Sequence, residues 1–424
     1  MPRLIYTLVV VLLLPWAVLH LLWRSHRQKE YLQHWGERFA RYDAVAPGLP
    51  TIWLHAVSVG ETRAAQPLVA ALRQRYPDHR ILFTHMTPTG RATSESLYGD
   101  SVERIYLPYD TPWAMRRFLR QYRPRLGLIM ETELWPNMVS ACSDESVPLL
   151  LVNARLSERS ARRYARFPAL SGEALRGLTA IAAQSGADAS RLQALGAANV
   201  TVTGNLKFDI DAATRQLELG SELRHRYGAR TSWLAASTRE GEEALILDAW
   251  RRTMGGGKPT GGAAAALLVI VPRHPQRFAD VARLARERGF RVQLRSEGGA
   301  VGIDTEVLIG DSMGEMFAYY ASVDLAFIGG SLLDFGSQNL IEAAACGTAI
   351  LIGPSTRNFA DAARAAIECG AARSISDADD LARQVQELLR DDATRSSMGR
   401  AGRDFAARHR GATARTMALI PAVR

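Results

Sequence analysis

Short apolar runs separated by amphipathic stretches, laid down twice along the chain, constrain the fold more than any other feature. TIWL, ILFTHM, SVERIYLP, RLGLIME, PLLLVNA, AIAAQS and NVTVTGN follow one another between residues 51 and 205. After TIWL, each run ends in polar or glycine residues, and helical patterns lie between most of them. Such runs read as strands buried on both faces, the pattern of a parallel sheet covered by helices on either side. The rhythm breaks over FDIDAATRQLELGSELRHRYGAR, which is charged and carries no strand, and restarts with SWLAAS, LLVIVPRH, RVQLRS, TEVLIG, LAFIGGS and AILIGPS. The expected architecture is α/β. Two Rossmann-like domains cover 25–208 and 231–424, a linker covers 209–230, and the final helix is free to pack back on the N-terminal domain. Ligands of such sheets bind beyond the carboxyl ends of the strands, so a cleft between the two domains is expected.

Size and composition agree with this reading. At 424 residues the chain exceeds what one hydrophobic core organises. A hydrophobic content of 47% with 22% charged residues argues against long disordered regions. Lys+Arg 52 against Asp+Glu 43 leaves a formal net charge of +9, which suits anionic partners. The arginines are spread along an enzyme-like pattern rather than gathered in a nucleic-acid module, so no nucleic-acid partner is expected. Cys142, Cys346 and Cys369 show neither metal-ligand spacing nor a disulfide framework, and read as buried thiols of a reducing compartment.

Residues 1–24 form an expected membrane anchor. From Ile5 to Trp23 no formal charge occurs, a length that crosses most of a hydrocarbon core. No small-residue cleavage site follows, which favours a retained segment. Arg24, His26, Arg27 and Lys29 come next and place the globular part on the cytoplasmic side. The helix is either single-pass or, given Pro15 and His20, shallow and interfacial.

The residues with chemical promise sit at the strand ends. HAVSVGET (55 to 62) presents Glu61 where a strand hands over to a helix, as a cleft carboxylate or as an ordinary helix N-terminal acid. PRHPQRF offers Arg273, His274 and Arg277 for a phosphate or carboxylate, or is a solvated basic loop. ASTREGEEALI offers Ser237 and Thr238 ahead of Glu240, Glu242 and Glu243, a phosphate site or a simple cap. GGSLLDFGSQNLIEAAACG brings glycines close to Asn339 and Glu342, which lie three apart and can accept a ribose or cap a helix.

Taken in order, HAVSVGE, METELWPN, NARLSERS, TGNLKFD, ASTREGEE, PRHPQRF, GDSMGEM and GGS…QNLIEAAACG, behind an apolar N-terminal segment, resemble the 3-deoxy-D-manno-octulosonic acid (Kdo) transferases of lipopolysaccharide assembly. The resemblance covers nearly the whole chain from the anchor to about residue 370. It implies a GT-B glycosyltransferase that moves Kdo from CMP-Kdo to lipid IVA, the lipid A precursor, at the inner leaflet of the inner membrane, with no metal and no cofactor. It also implies that Glu61 is the general base, and that Ser237, Thr238, Arg273, His274, Gly314, Glu315, Asn339 and Glu342 lie on the donor side. Ser58, Gly60, Arg155 and Lys207 match positions near the acceptor or the donor carboxylate. METELWPN supplies Glu131 and Glu133, one of which is expected to support the site. Arg159, Arg162, Arg163 and Arg166 are either a lipid-facing set or a solvated helix face. The chain departs from the family pattern at Ser337, where a glycine is usual, and at Ser355 and Arg357, where histidine and phenylalanine are common. Competing readings are a GT-B transferase using a UDP-sugar on another membrane lipid and a non-catalytic nucleotide-sugar-binding scaffold.

Overall fold

The computed structural model describes residues 2–26, 28–43, 49–210, 214–254 and 266–422. Arg27, part of the linker stretch (211–213) and residues 255–265 of the Gly/Ala-rich patch lie outside this description. The chain divides into two compact units, one of residues 1–210 with 410–424 and one of residues 211–409.

In the first unit β1 (Thr51–His55), β2 (Arg80–His85), β3 (Glu103–Tyr106), β4 (Pro124–Met130), β5 (Leu149–Ala154), β6 (Ala180–Ala183) and β7 (Val200–Val202) form one sheet. Their order is β3-β2-β1-β4-β5-β6-β7, and every pairing is parallel. The order in which successive strands are added across the sheet reverses between β1 and β4, so the segments that leave these two parallel strands diverge and open a crevice at their carboxyl ends. Trp53 of β1 packs edge-on against Phe118 with ring centroids 4.9 Å apart and donates its indole N–H to Thr84 Oγ1 at 2.8 Å. A Cβ on Gly127 of β4 would stand 2.9 Å from Trp53 Cε3, so the glycine makes room for this ring.

The second unit repeats the plan. β8 (Ser232–Thr238), β9 (Leu267–Pro272), β10 (Val292–Leu294), β11 (Val307–Ile309), β12 (Leu325–Ile328), β13 (Ala349–Ile352) and β14 (Ala372–Ser374) are ordered β10-β11-β9-β8-β12-β13-β14. All pairings are again parallel, and the reversal lies between β8 and β12. The sequence pattern missed β14, whose three residues, Ala-Arg-Ser, bury only the alanine.

Of the stretch read as a linker, Thr214–Tyr227 is a helix of the second unit that buries Gly220, Leu223 and Tyr227. Gly220 lets it approach the helix Met316–Ser322, because a Cβ there would lie 2.8 Å from Ala321 Cβ. After the long helix Asp392–His409 the chain re-enters the first unit. The amide N–H groups of Gly411 and Thr413 donate to the Asp209 carboxylate at 2.7 and 2.5 Å, an acid at the start of the helix Ala412–Ala418. Arg75 donates to Met417 O at 2.7 Å and fixes the other end of that helix.

The N-terminal helix, Pro2–Ser25, is long and apolar enough to cross a membrane. Its Tyr6 hydroxyl donates to Asp110 Oδ2 at 2.9 Å, and Thr7 Oγ1 to Asn137 Oδ1 at 3.0 Å. Asp110 is buried and also accepts the amide N–H groups of Asn137 and Met138.

Candidate active site

In the first unit the site is built where β1 and β4 end. After β1 the chain turns through Ala56 and Val57 into the short helix Val59–Ala64, with Ser58 as its N-cap. Ser58 Oγ accepts the Glu61 amide N–H at 3.3 Å and donates its own hydrogen to Glu61 Oε1 at 2.8 Å. The Val57 amide donates to Glu61 Oε2 at 2.7 Å. The cap and the acid three residues on thus hold each other, a reciprocal arrangement that orients the carboxylate on its own turn. Glu61 is 8% exposed, whereas Ser58 and Gly60 beside it are open to solvent. A Cβ on Gly60 would come no closer than 3.8 Å to Ser58 Oγ, so nothing in the fold requires glycine there.

Burial raises the Glu61 carboxyl to about 7 from an ordinary 4.5, and the charge of Glu131 adds to the effect. The two hydrogen bonds from Val57 and Ser58 oppose it, and Glu133 makes a smaller upward contribution. A carboxylate near 7 can take a proton at neutral pH and is still ionised often enough to act. His55, the first residue of the same motif, is not a second base. It is fully buried, bonded to Thr84, and pushed down to about 3 by burial and by His85.

Of the two acids in METELWPN, Glu131 has the larger effect on Glu61. It follows β4 at φ +58° and pairs with Lys207 Nζ at 3.6 Å. The Arg155 amide donates to Glu131 O at 3.4 Å, so the METELWPN, NARLSERS and TGNLKFD motifs meet here. Asn153, buried at φ +52°, ties the last of these in by accepting the Leu206 amide at 3.0 Å. Glu133 instead accepts the Trp135 indole N–H at 2.9 Å.

In the second unit the corresponding residues surround the ends of β8, β9 and β12. Gly329 is needed by the fold, since a Cβ would lie 2.6 Å from Ala236 O and 2.7 Å from Ser237 O. Thr238 Oγ1 donates to Glu243 Oε1 at 3.0 Å, and the Arg273 amide donates to Thr238 O at 3.0 Å. Arg277 is held by acids, 3.1 Å from Glu243 Oε2 and 3.8 Å from Glu240 Oε1. His274 sits among cations. Its Nε2 is 3.1 Å from Arg239 Nη1, and burial together with Arg239, Arg273 and Arg277 holds the imidazole below its usual range. Arg239 was not singled out from the sequence, although it follows Thr238 directly. Its guanidinium also lies over the Phe335 ring, 4.8 Å from the centroid.

The remaining donor-side candidates are divided between two further clusters. Glu315 pairs with Arg295 at 2.9 Å and accepts the Ser312 hydroxyl at 2.6 Å, next to Gly314, which adopts φ +80° with open space around it. Asn339 accepts the Ile341 amide at 3.0 Å and donates its side-chain amide to Glu342 Oε1 at 2.9 Å. Among the described residues no group of three or more His, Cys, Asp or Glu is placed to hold a metal ion.

Residues 33–210 match the family model described as 3-deoxy-D-manno-octulosonic-acid transferase (kdotransferase), and residues 308–420 match one described as glycosyl transferase-like. The 3-deoxy-D-manno-octulosonic acid transferase of Bordetella pertussis is 43% identical over 98% of this chain and 98% of its own length. That of Haemophilus influenzae is 36% identical over 99% and 98%. The chain belongs to the Kdo transferase family.

A Kdo transferase is a glycosyltransferase of lipopolysaccharide synthesis, and the solved structures that this one resembles are of the same two-unit GT-B class. The UDP-GlcNAc 2-epimerase of Neisseria meningitidis superposes with a TM-score of 0.59 over 87% of this chain and 99% of that one, at 13% identity. A glycosyltransferase of Rickettsia africae gives 0.58 over 88% and 97%, at 12% identity. At such identities the likeness shows the fold alone. Two of this Kdo transferase's departures from the family pattern meet in one network: Ser355 Oγ accepts the Gly336 amide at 2.9 Å and donates to Asp334 at 3.1 Å, while Arg357 pairs with the same aspartate. The third, Ser337, is buried and takes the positive φ of +70° that a glycine would adopt more readily.

Proposed function

We propose that this protein transfers Kdo from CMP-Kdo to lipid IVA at a membrane surface, with Glu61 as general base. The observation that carries the assignment is the Glu61 carboxylate, fixed by its own turn at the sheet's reversal point and raised to about 7. An acceptor sugar hydroxyl attacks the anomeric carbon of Kdo. Glu61 takes the hydroxyl proton as the new carbon–oxygen bond forms and the bond to the CMP phosphate breaks with inversion. The leaving group is a phosphate monoester anion, and the cations around His274, with Arg239 and Arg273 foremost, offset its charge without need of a metal. Asn339 and Glu342 are assigned to the ribose, the Gly314–Glu315 turn to the cytosine, and Ser237 and Thr238 to the phosphate. Arg155 and Lys207, with Ser58 and Gly60, are assigned to the acceptor or the Kdo carboxylate. The apolar N-terminal helix attaches the enzyme to the inner membrane where its acceptor resides, and so raises the frequency of their encounter.

Mass spectrometry of lipid IVA incubated with CMP-Kdo and the purified protein in detergent, with chelator present, tests this reading. Addition of Kdo mass is expected, and the mass counts the sugars added. Product from a UDP-sugar and none from CMP-Kdo would overturn the donor assignment.

A further inference from the structure

The N-terminal helix is apolar nearly all round in sequence, yet the structure divides its circumference. Arg3, Tyr6, Thr7, Val10, Leu14 and Leu21, at helical spacing, are at least partly covered by the first unit. Leu4, Leu12 and Leu19, on the other side, are 72%, 68% and 65% exposed, and Leu8, Trp16 and Trp23 are exposed with them. Polar side chains near the amino end therefore point inward and large apolar ones outward, the reverse of a helix packed for water. The medium that such an outer face matches is hydrocarbon.

Both ends of the helix touch the same globular unit. At the amino end Tyr6 and Thr7 are bonded to Asp110 and Asn137, and Arg3 pairs with Glu173 at 3.5 Å. At the other end Leu21 and Ser25 are buried, and the Arg24 guanidinium lies 4.8 Å from the centroid of the buried Tyr31 ring. A helix of 24 residues is about 36 Å long, roughly the thickness of a hydrocarbon core. Crossing the bilayer would carry its two ends to opposite surfaces, and a unit bonded to both ends cannot follow.

The neighbouring surface supplies charge complementary to a bilayer. Ser160 and Tyr164, from the helix Glu158–Tyr164, line a cavity of about 360 Å³ together with Tyr6 and the segment Thr132–Trp135. The same stretch exposes Arg159, Arg162, Arg163 and Arg166, and Phe167 after them is 67% exposed. Phe167 precedes the helix Pro168–Arg176, which carries Glu173, the partner of Arg3.

We propose that the N-terminal helix lies lengthwise in a single leaflet, latched to the first unit through Tyr6–Asp110 and Thr7–Asn137. The four arginines and Phe167 continue this face onto anionic headgroups. The protein is then monotopic rather than single-pass. This rests on the reading of the helix as the membrane-attaching segment and adds its orientation.

The test uses the full-length chain with Cys346→Ser and Cys369→Ser, and an environment-sensitive fluorophore on Leu4→Cys, Leu12→Cys or Leu19→Cys in turn. Each protein is floated with phosphatidylglycerol/phosphatidylcholine vesicles, and depth is read by lipids spin-labelled at the headgroup or along the acyl chain. The expected result is one shallow depth for all three labels. A label at residue 12 near the mid-plane, with residue 4 shallow in the far leaflet, would overturn the proposal while leaving membrane attachment intact. Failure to float would overturn both. Tyr6→Phe combined with Asp110→Asn is expected to separate the depth of residue 4 from that of residue 19 without abolishing flotation; unchanged depths would remove the latch. Replacing the four arginines by glutamine is expected to weaken binding to anionic vesicles by about tenfold or more and binding to neutral ones hardly at all. Equal loss on both would contradict the charge contribution.

Discussion

Each unit puts a Gly-Glu pair where the first strand hands over to its helix, Gly60–Glu61 after β1 and Gly241–Glu242 after β8. The two carboxylates are engaged differently. Glu242, fully buried, accepts the Arg239 amide of its own turn and, from the loop after β12, the amides of Gly330 and Leu332 at 2.6 and 3.0 Å. It staples that loop to the start of a helix, and its lone pairs face backbone donors. Among the described residues Glu61 receives only the Val57 amide and the Ser58 hydroxyl, both from its own turn, beside exposed Gly60. At comparable strand-to-helix turns, though with Gly60 inside its helix and Gly241 as an N-cap, the same dipeptide staples a loop in one unit and, on the proposed reading, serves the chemistry in the other. What separates them is the source and number of the hydrogen-bond donors, which the sequence does not display.

The sharpest way to break this contrast is to make both carboxylates amides. Glu61→Gln is expected to lower the rate of Kdo transfer by about 100-fold or more at unchanged donor binding, measured by single-turnover kinetics. Glu242→Gln turns an N–H toward a buried amide, and is expected to destabilise the second unit by about 1 to 3 kcal/mol in denaturant titrations while activity per folded molecule is retained.

Stability against pH sharpens it from the other side. The Glu61 carboxyl ionises near 4.5 in an unfolded chain and at about 7 in the fold, so the folded state holds that proton more tightly. The stability this proton contributes is complete below about 4.5 and lost as pH rises through about 7, a difference of about 3 kcal/mol. Glu61→Gln is therefore expected to be more stable than the parent at pH 8, by up to that amount, with the gain shrinking toward pH 4. A constant difference across this range would deny the raised carboxyl.

Gly60→Ala tests whether the open space beside Glu61 is used. The fold accommodates the methyl group, so an unchanged melting temperature is expected, and, if the substrate approaches there as proposed, a rate loss on the order of tenfold or more. The smallest effects concern the neighbours of Glu61. Glu131→Gln is expected to move the midpoint of the rising limb of the pH–rate profile to lower pH. Lys207→Met, which leaves Glu131 without this ion-pair partner, is expected to move it to higher pH.

Much of this was legible in the sequence because it is local. Strands buried on both faces announced the two sheets, and the turn between TIWL and the following helix placed Glu61 at a strand end. The exceptions have physical causes. β14 is too short and too polar to show a pattern. The charges of Thr214–Tyr227 outnumber its buried residues and suggest a connection, and its packing shows only in the structure, where Leu223 and Tyr227 are buried and Gly220 allows a close approach to the helix Met316–Ser322. The sequence leaves Arg277 either a ligand-binding cation or part of a solvated loop, and its pairing with Glu240 and Glu243, more than thirty positions earlier, is visible only in the structure. The pairing of Ser355 and Arg357 with Asp334 joins residues about twenty positions apart. Nor could an all-apolar N-terminal segment reveal which of its sides meets protein.

The most direct measurement of the central claim is the pH dependence of single-turnover Kdo transfer by the parent protein and by Glu61→Gln at saturating CMP-Kdo. The parent is expected to show a rate that rises with pH to a midpoint near 7, and the variant a rate reduced by about 100-fold or more with that limb gone. A variant that keeps both the rate and the rising limb would return Glu61 to the role that Glu242 plays in the other unit.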